Sequence, residues 1–268
     1  MIKNTIRKTL NHLGFEIRRT KTINNFVDLR RENINPIEAL YLVGNRDCVI
    51  NIKLNRLISS NLISIWIKVL NYIDSDESLA KKYLYDYFEK YKPRDVSEVL
   101  GIVPNPGQEW LRWHPMTYIM PWQNRNPKRR LIKRIHMMSR EASSVDINLG
   151  NTYQWKGFGP ADNSVVEMEF RRLKRIYTSI TKDGFLEDKG IFGAQLLCSG
   201  GDYRFRPCDG WHRSAVLKAL DYESVPVILP SRLPIIRREE CEHWPAVKNG
   251  YFTAAQAKTI FDKQMNKL

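Results

Sequence analysis

The hydrophobic positions change period along the chain, and the changes divide it into elements. Residues 48–54 alternate, with Cys48, Ile50, Ile52 and Leu54 on one side and Val49, Asn51 and Lys53 on the other, the pattern of a half-buried strand. Leu62, Trp66, Val69 and Ile73 then fall on one face of a helix. A second helix is announced by Asp74 and Glu77 as a capping box, carries Leu79, Tyr83, Tyr87 and Tyr91 as its packing stripe, and is ended by Pro93. Residues 103–127 are irregular, rich in proline and tryptophan in segments such as Trp113-His114-Pro115 and Pro121-Trp122, and too aromatic for a solvated linker. A basic helix follows at Lys128–Arg134, with Leu131, Ile135 and Met138 expected to face inward and its cations to lie on a solvated face or to meet phosphate groups. Gly150 through Pro160 reads as a domain-crossing loop.

From Asp162 the order is clearer. Asp162, Asn163 and Ser164 offer caps to a helix through Leu173, Ile176 and Ile180 that ends at Asp183-Gly184. A buried strand over 191–197, a turn at Ser199-Gly200-Gly201-Asp202 and a returning strand over 203–207 come next. Asp209-Gly210 closes that strand, a helix begins at Trp211 and runs to Leu220, and Val225–Leu229 supplies another strand. Beyond it stand Trp244-Pro245, a turn at Asn249-Gly250 and one helix opened by the capping box Thr253–Gln256.

Composition adds a charge of +14 and a pI near 9.6 to this picture, a field that attracts polyanions: nucleic acid, nucleotides, phosphorylated metabolites or an anionic membrane face. Cys48, Cys198, Cys208 and Cys241 form no C-x-x-C pair and no zinc-type spacing, and no secretory signal or membrane span is read, so a cytoplasmic location is expected. Residues 1–20 are expected to form a basic amphipathic helix, Ile2, Ile6, Leu10 and Leu13 on one face, suited either to its own domain or to peripheral contact with an anionic membrane through residues 1–19. The segment is similar, over a short stretch, to the N-termini of some enzymes of bacterial surface-polysaccharide assembly.

The candidate chemistry lies at Asp209–Ser214. A helix N-terminus leaves backbone N–H groups unpaired and carries partial positive charge, and a glycine before it lets another group approach the backbone, so an anion is expected there. Arg213 adds a permanent cation and His212 a titratable donor. Asp209 beside a phosphate makes sense if it binds Mg²⁺ or takes a proton from an attacking hydroxyl.

The string Asp209-Gly210-Trp211-His212-Arg213-Ser214-Ala215, followed by Ala219-Leu220-Asp221-Tyr222 and Val225-Pro226-Val227, resembles the Gly-x-His-Arg box of the ParB/sulfiredoxin superfamily, and the resemblance covers residues 160–230. It implies an α+β fold: a ParB/sulfiredoxin-like domain over 151–268, with a small mixed sheet flanked by helices, preceded by a smaller α+β domain over 21–150. Sulfiredoxins carry a catalytic cysteine where this chain has Trp211, which disfavours sulfinic-acid reduction, and the single helix after Leu229 is not the helix-turn-helix of partition proteins. The Asp-Gly-x-His-Arg form is that of the small-molecule, free-serine-type kinases of the fold. It implies ATP or another nucleotide on Gly210, Trp211, His212, Arg213 and Ser214, Mg²⁺ on Asp209, and phosphoryl transfer to a small hydroxyl compound, with Asp209, Glu167, Glu169 and His212 as catalytic candidates. A sugar or glycan precursor in surface-polysaccharide metabolism is a plausible acceptor. The alternative is a ParB-like nucleotide-binding protein that holds nucleic acid or an anionic surface without small-molecule turnover.

Overall fold

The computed structural model describes residues 26–44, 46–58, 60–149, 154–187, 190–231 and 235–266. The amphipathic segment expected over residues 1–20 lies outside them.

The sheet is assembled from strands far apart in sequence. β1 (Val27–Asp28) runs parallel to β2 (Cys48–Lys53), and β2 pairs antiparallel with β5 (Ser224–Leu229), Ile50 opposite Val227. β5 lies parallel to the start of β3 (Phe192–Ser199), which turns back through Gly200-Gly201 into β4 (Asp202–Pro207). The end of β3 takes a last short parallel partner, β6 (Ile236–Arg237). The order is β1-β2-β5-β3-β4, with β6 beside β3. The fold is therefore mixed α+β, a small mixed sheet flanked by helices. Its sheet crosses the boundary expected near residue 150, because β2 is hydrogen-bonded to β5 along its whole length.

Helices α1 (Pro36–Val43), α2 (Asn61–Leu70), α3 (Glu77–Lys90), α4 (Val96–Leu100), α5 (Pro127–Ser143), α6 (Asn163–Asp183), α7 (Trp211–Ala219), α8 (Pro245–Lys248) and α9 (Ala254–Asn266) complete the main elements. α2 packs on both α3 and α7, and α6 packs on α7 and α3. Trp66 and Phe170, 2% exposed each, lie in the main core with Phe192 and Phe205 of the sheet; each such side chain contributes about 1.5–3 kcal/mol by leaving water. A second core joins the tryptophan-rich segment to the C-terminus: Trp122 meets Trp244 and Phe261 edge-on, and Trp110 meets Phe252. The aromatic residues of 103–127 are thus bound into the protein interior. Two buried amides fasten them, Gln108 and Gln256 each donating to the other at 2.9 and 2.8 Å. Thr253 and Gln256 form the expected reciprocal capping box, 3.2 and 3.0 Å.

Three local expectations change. The cap of α3 is Asp76, whose Oδ1 accepts from the Leu79 N–H at 2.9 Å; Glu77 is then the first helical residue, too early to reach back to a cap. The buried stripe of α3 is Ala80, Leu84, Tyr87 and Phe88, while Leu79, Tyr83 and Tyr91 sit half-buried on its flank. On α5, Met138 faces inward as expected, yet Leu131 and Ile135 are only partly covered and the deeply buried side chain is Arg134, 1% exposed. The short helix α8 leaves no mark in the hydrophobic pattern, because four residues are too few to show a period. No helix of the described residues is long and apolar enough to cross a membrane.

Candidate functional site

The turn between β4 and α7 is pinned to the start of β3. The Cys208 N–H donates to the Gly193 carbonyl at 2.7 Å, and the Gly193 N–H donates to Asp209 Oδ1 at 3.0 Å. Gly210 sits at φ 72°, ψ 21°, in the left-handed region. A Cβ there would lie 2.8 Å from Cβ and Cγ of Phe192, so both backbone conformation and neighbour require glycine. This close approach swings the chain directly from strand to helix. α7 opens with no side-chain cap, and its first internal bond is Ser214 N–H to the Gly210 carbonyl, 2.9 Å. The first N–H groups of any helix lack an acceptor in a preceding turn, and the dipole of α7 adds its partial positive charge at this end. Asp209 is exposed beside this end.

The remaining members of the motif have distinct placements. Trp211 is partly buried, with the Arg206 guanidinium 5.3 Å from its ring. Arg213 donates to the Gly190 carbonyl, its guanidinium 5.5 Å from the Phe192 ring, and so ties the chain before β3 to α7. Ser214 is fully buried and donates back to the Gly210 carbonyl at 3.1 Å. His212 points inward: it is 5% exposed, stacks on Trp66 at 4.1 Å between centroids, and shares a 2.9 Å hydrogen bond between Nε2 and Glu169 Oε2.

Glu169 and His212 are therefore brought together, inside the protein. Glu169, 0% exposed, also contacts Arg172 Nη1 at 3.3 Å; Arg172 reaches Glu141 Oε2 at 2.6 Å, and Lys156 Nζ reaches Glu141 Oε1 at 2.6 Å. Burial by itself would raise the Glu169 carboxyl, but His212, Lys156 and Arg172 outweigh it and hold the group well below the ordinary carboxylate range. Burial lowers His212 below its ordinary value, against the pull of Glu169. The two groups are coupled through this one hydrogen bond, with Glu169 held low and His212 lowered by its burial. Glu167 lies elsewhere, bonded to Arg171 at 2.7 Å and Lys81 at 3.0 Å, and burial of its carboxyl is overcome by these two cations, which hold it ionised. It is not joined to the motif by any contact of the described residues.

For a metal, the arrangement offers Asp209. Mg²⁺ is commonly held by one or two carboxylates together with the oxygens of a phosphate substrate, and an exposed carboxylate beside an open helix N-terminus fits that role. Two shallow depressions, of about 380 and 430 Å³, are lined by other residues, the first around Ser143 and Asp146 and the second around Tyr41 and Leu42. Compared with protein-family models, curated proteins and solved structures, the chain matches none.

Proposed function

We propose that the chain is a nucleotide- and Mg²⁺-dependent phosphotransferase of the ParB/sulfiredoxin type, acting on a small hydroxyl compound such as a sugar or glycan precursor. The observation that carries the reading is the strand–turn–helix at Asp209–Arg213. Gly210 is confined to a left-handed conformation by its φ and by Phe192, α7 starts without a side-chain cap, and an exposed carboxylate stands next to the open end. Phosphoryl transfer asks a protein chiefly for positioning and charge, with little covalent chemistry of its own. In this reading the N–H groups at the start of α7 hold phosphate, and Asp209 holds the metal or takes the acceptor's proton. His212 and Glu169 act as positioning residues, since a fully buried pair behind the first turn fixes its direction without touching a ligand.

Thermal shift against ATP, ADP, CTP and GTP, each with and without Mg²⁺, identifies the nucleotide, and Asp209→Asn then tests the role of the carboxylate. Asparagine retains an oxygen to accept the Gly193 N–H, so the turn keeps its support. Turnover is expected to fall at least about a hundredfold while nucleotide binding persists. Unchanged turnover in Asp209→Asn, or no stabilisation by any nucleotide, refutes the proposal.

A further inference from the structure

Four arginines from three stretches of chain lie close enough to act on one another's charge, and one of them, Arg206, stands against Trp211 at the turn. Arg125 precedes α5, Arg130 and Arg134 lie a turn apart on it, and Arg206 comes from the end of β4, against Trp211. They descend from the surface inward: Arg125 is exposed, Arg130 and Arg206 are partly buried, and Arg134 is 1% exposed. Arg134 donates to the Met116 carbonyl, and its guanidinium lies 3.6 Å from the Tyr118 ring centre and 5.0 Å from that of Trp155. Its Nε has no hydrogen-bond partner, and neither does the buried Nε of Arg130. Among the described residues none of the four forms an ion pair with a carboxylate.

This is an expensive arrangement to leave incomplete. A buried cation loses its hydration, and two aromatic faces with one carbonyl return only part of it. Burial and the neighbouring arginines lower Arg134 to about 9, partly offset by Tyr118. Arg130 and Arg206 are lowered by burial and by charges of the same cluster. An anion entering among them would satisfy the open donors and cancel the mutual repulsion at once. One carboxylate could neutralise only one of four guanidinium groups. A phosphate or diphosphate carries enough charge and enough acceptor oxygens for several, and guanidinium forks match it two bonds at a time.

We propose that Arg125, Arg130, Arg134 and Arg206 form a binding site for the phosphate or diphosphate group of a small-molecule ligand, adjacent to the start of α7 and distinct from it. The site stands on its own, whether or not α7 binds a nucleotide.

The test uses inorganic pyrophosphate with the full chain at constant ionic strength, without nucleotide, so its failure is separable from failure of the phosphotransferase reading. Calorimetric titration and thermal denaturation are run on wild type, Arg206→Gln, Arg134→Met, and the double variant Arg129→Gln/Lys133→Gln, which removes two exposed cations of the same helix. A melting point raised by about 5 °C at a hundredfold excess over Kd is expected for wild type. Binding should weaken at least about tenfold in Arg206→Gln and Arg134→Met and stay near wild type in the double variant. Absence of binding to wild type overturns the proposal, as does equal weakening in the double variant, the mark of diffuse attraction to a basic surface. Adding pyrophosphate to protein saturated with nucleotide separates two sources of the group: additive binding assigns the site to a phosphorylated second ligand, and competition assigns it to the nucleotide's own phosphates.

Discussion

Two groups of charged side chains lie near the same short turn, and they are built on opposite terms. Behind α7, two carboxylates, Glu169 and Glu141, face two cations, Arg172 and Lys156, within hydrogen-bonding distance, and His212 shares a hydrogen bond with Glu169. Around Arg206, which stands against Trp211, four arginines act on one another, and among the described residues none is paired with a carboxylate. The first group is closed: every charge has a partner, and its natural role is to hold α5, α6, α7 and the loop through Lys156 in fixed relation. The second is open, and the missing partner is the reason to assign it a ligand. Both groups take charged side chains out of water; whether each charge meets a partner separates structure from site.

Removing one member of each group tells them apart most directly. Glu169→Ala leaves His212 and Arg172 in the interior without their acceptor and is expected to cost about 3–5 kcal/mol in urea denaturation. Arg134→Met, which removes an unpaired cation and keeps much of the volume, is expected to cost less than half as much in the absence of anion, or to stabilise the protein. Equal large losses would make Arg134 a structural brace of the Met116 carbonyl and Tyr118. A smaller effect concerns the turn between the groups. Gly210→Ala and Gly200→Ala both impose a side chain on a left-handed glycine, φ 72° and 55°, but only the first meets Phe192. Gly200→Ala should cost about 1 kcal/mol and Gly210→Ala roughly 1 kcal/mol more, the difference being the collision. Equal melting points would show that Phe192 moves aside freely and that the turn is less rigid than its contacts indicate.

Local chemistry made much of the C-terminal half legible. Asp162 caps α6, Gly200-Gly201 turns β3 into β4, and Gly210 starts α7, each where residue type alone directs it. The antiparallel pairing of β2 with β5 was not readable, because nothing near Ile50 names Val227 as its neighbour. The site divides in the same way. Asp209, Gly210 and Trp211 form the turn their order suggests, whereas the inward direction of His212 follows from Trp66 and Glu169, contributed by two other helices. The arginine cluster is the clearest case. Arg134 is three residues after Leu131 and four before Met138, at the edge of the inward stripe of α5, but its charge suggests solvent, and Tyr118 and Trp155, from segments before and after that helix, cover it. The two open Nε groups that expose its purpose are facts of packing, which no spacing along one helix records.

The smallest expected effect is a pH dependence, and it sharpens the account of the closed group. Burial first, then the charges of Arg172 and Lys156, lower His212, with Glu169 acting the other way. The unfolded chain, with histidine near its ordinary value of about 6.5, therefore binds a proton before the folded chain does. Stability from this residue is present above that pH and is lost progressively as pH falls toward the lower folded value. Glu169 adds a later loss in the same direction, because its lowered carboxyl must be protonated in strong acid. His114, also lowered by burial, contributes to the first window and is left untouched by changes at 212. The urea midpoint of wild type should fall between pH 7 and pH 5, and in His212→Gln the fall should be shallower. A steeper or unchanged slope in the variant would mean that His212 carries a proton in the folded state at neutral pH. The closed group would then hold a net positive charge, and charge balance would no longer distinguish it from the open one.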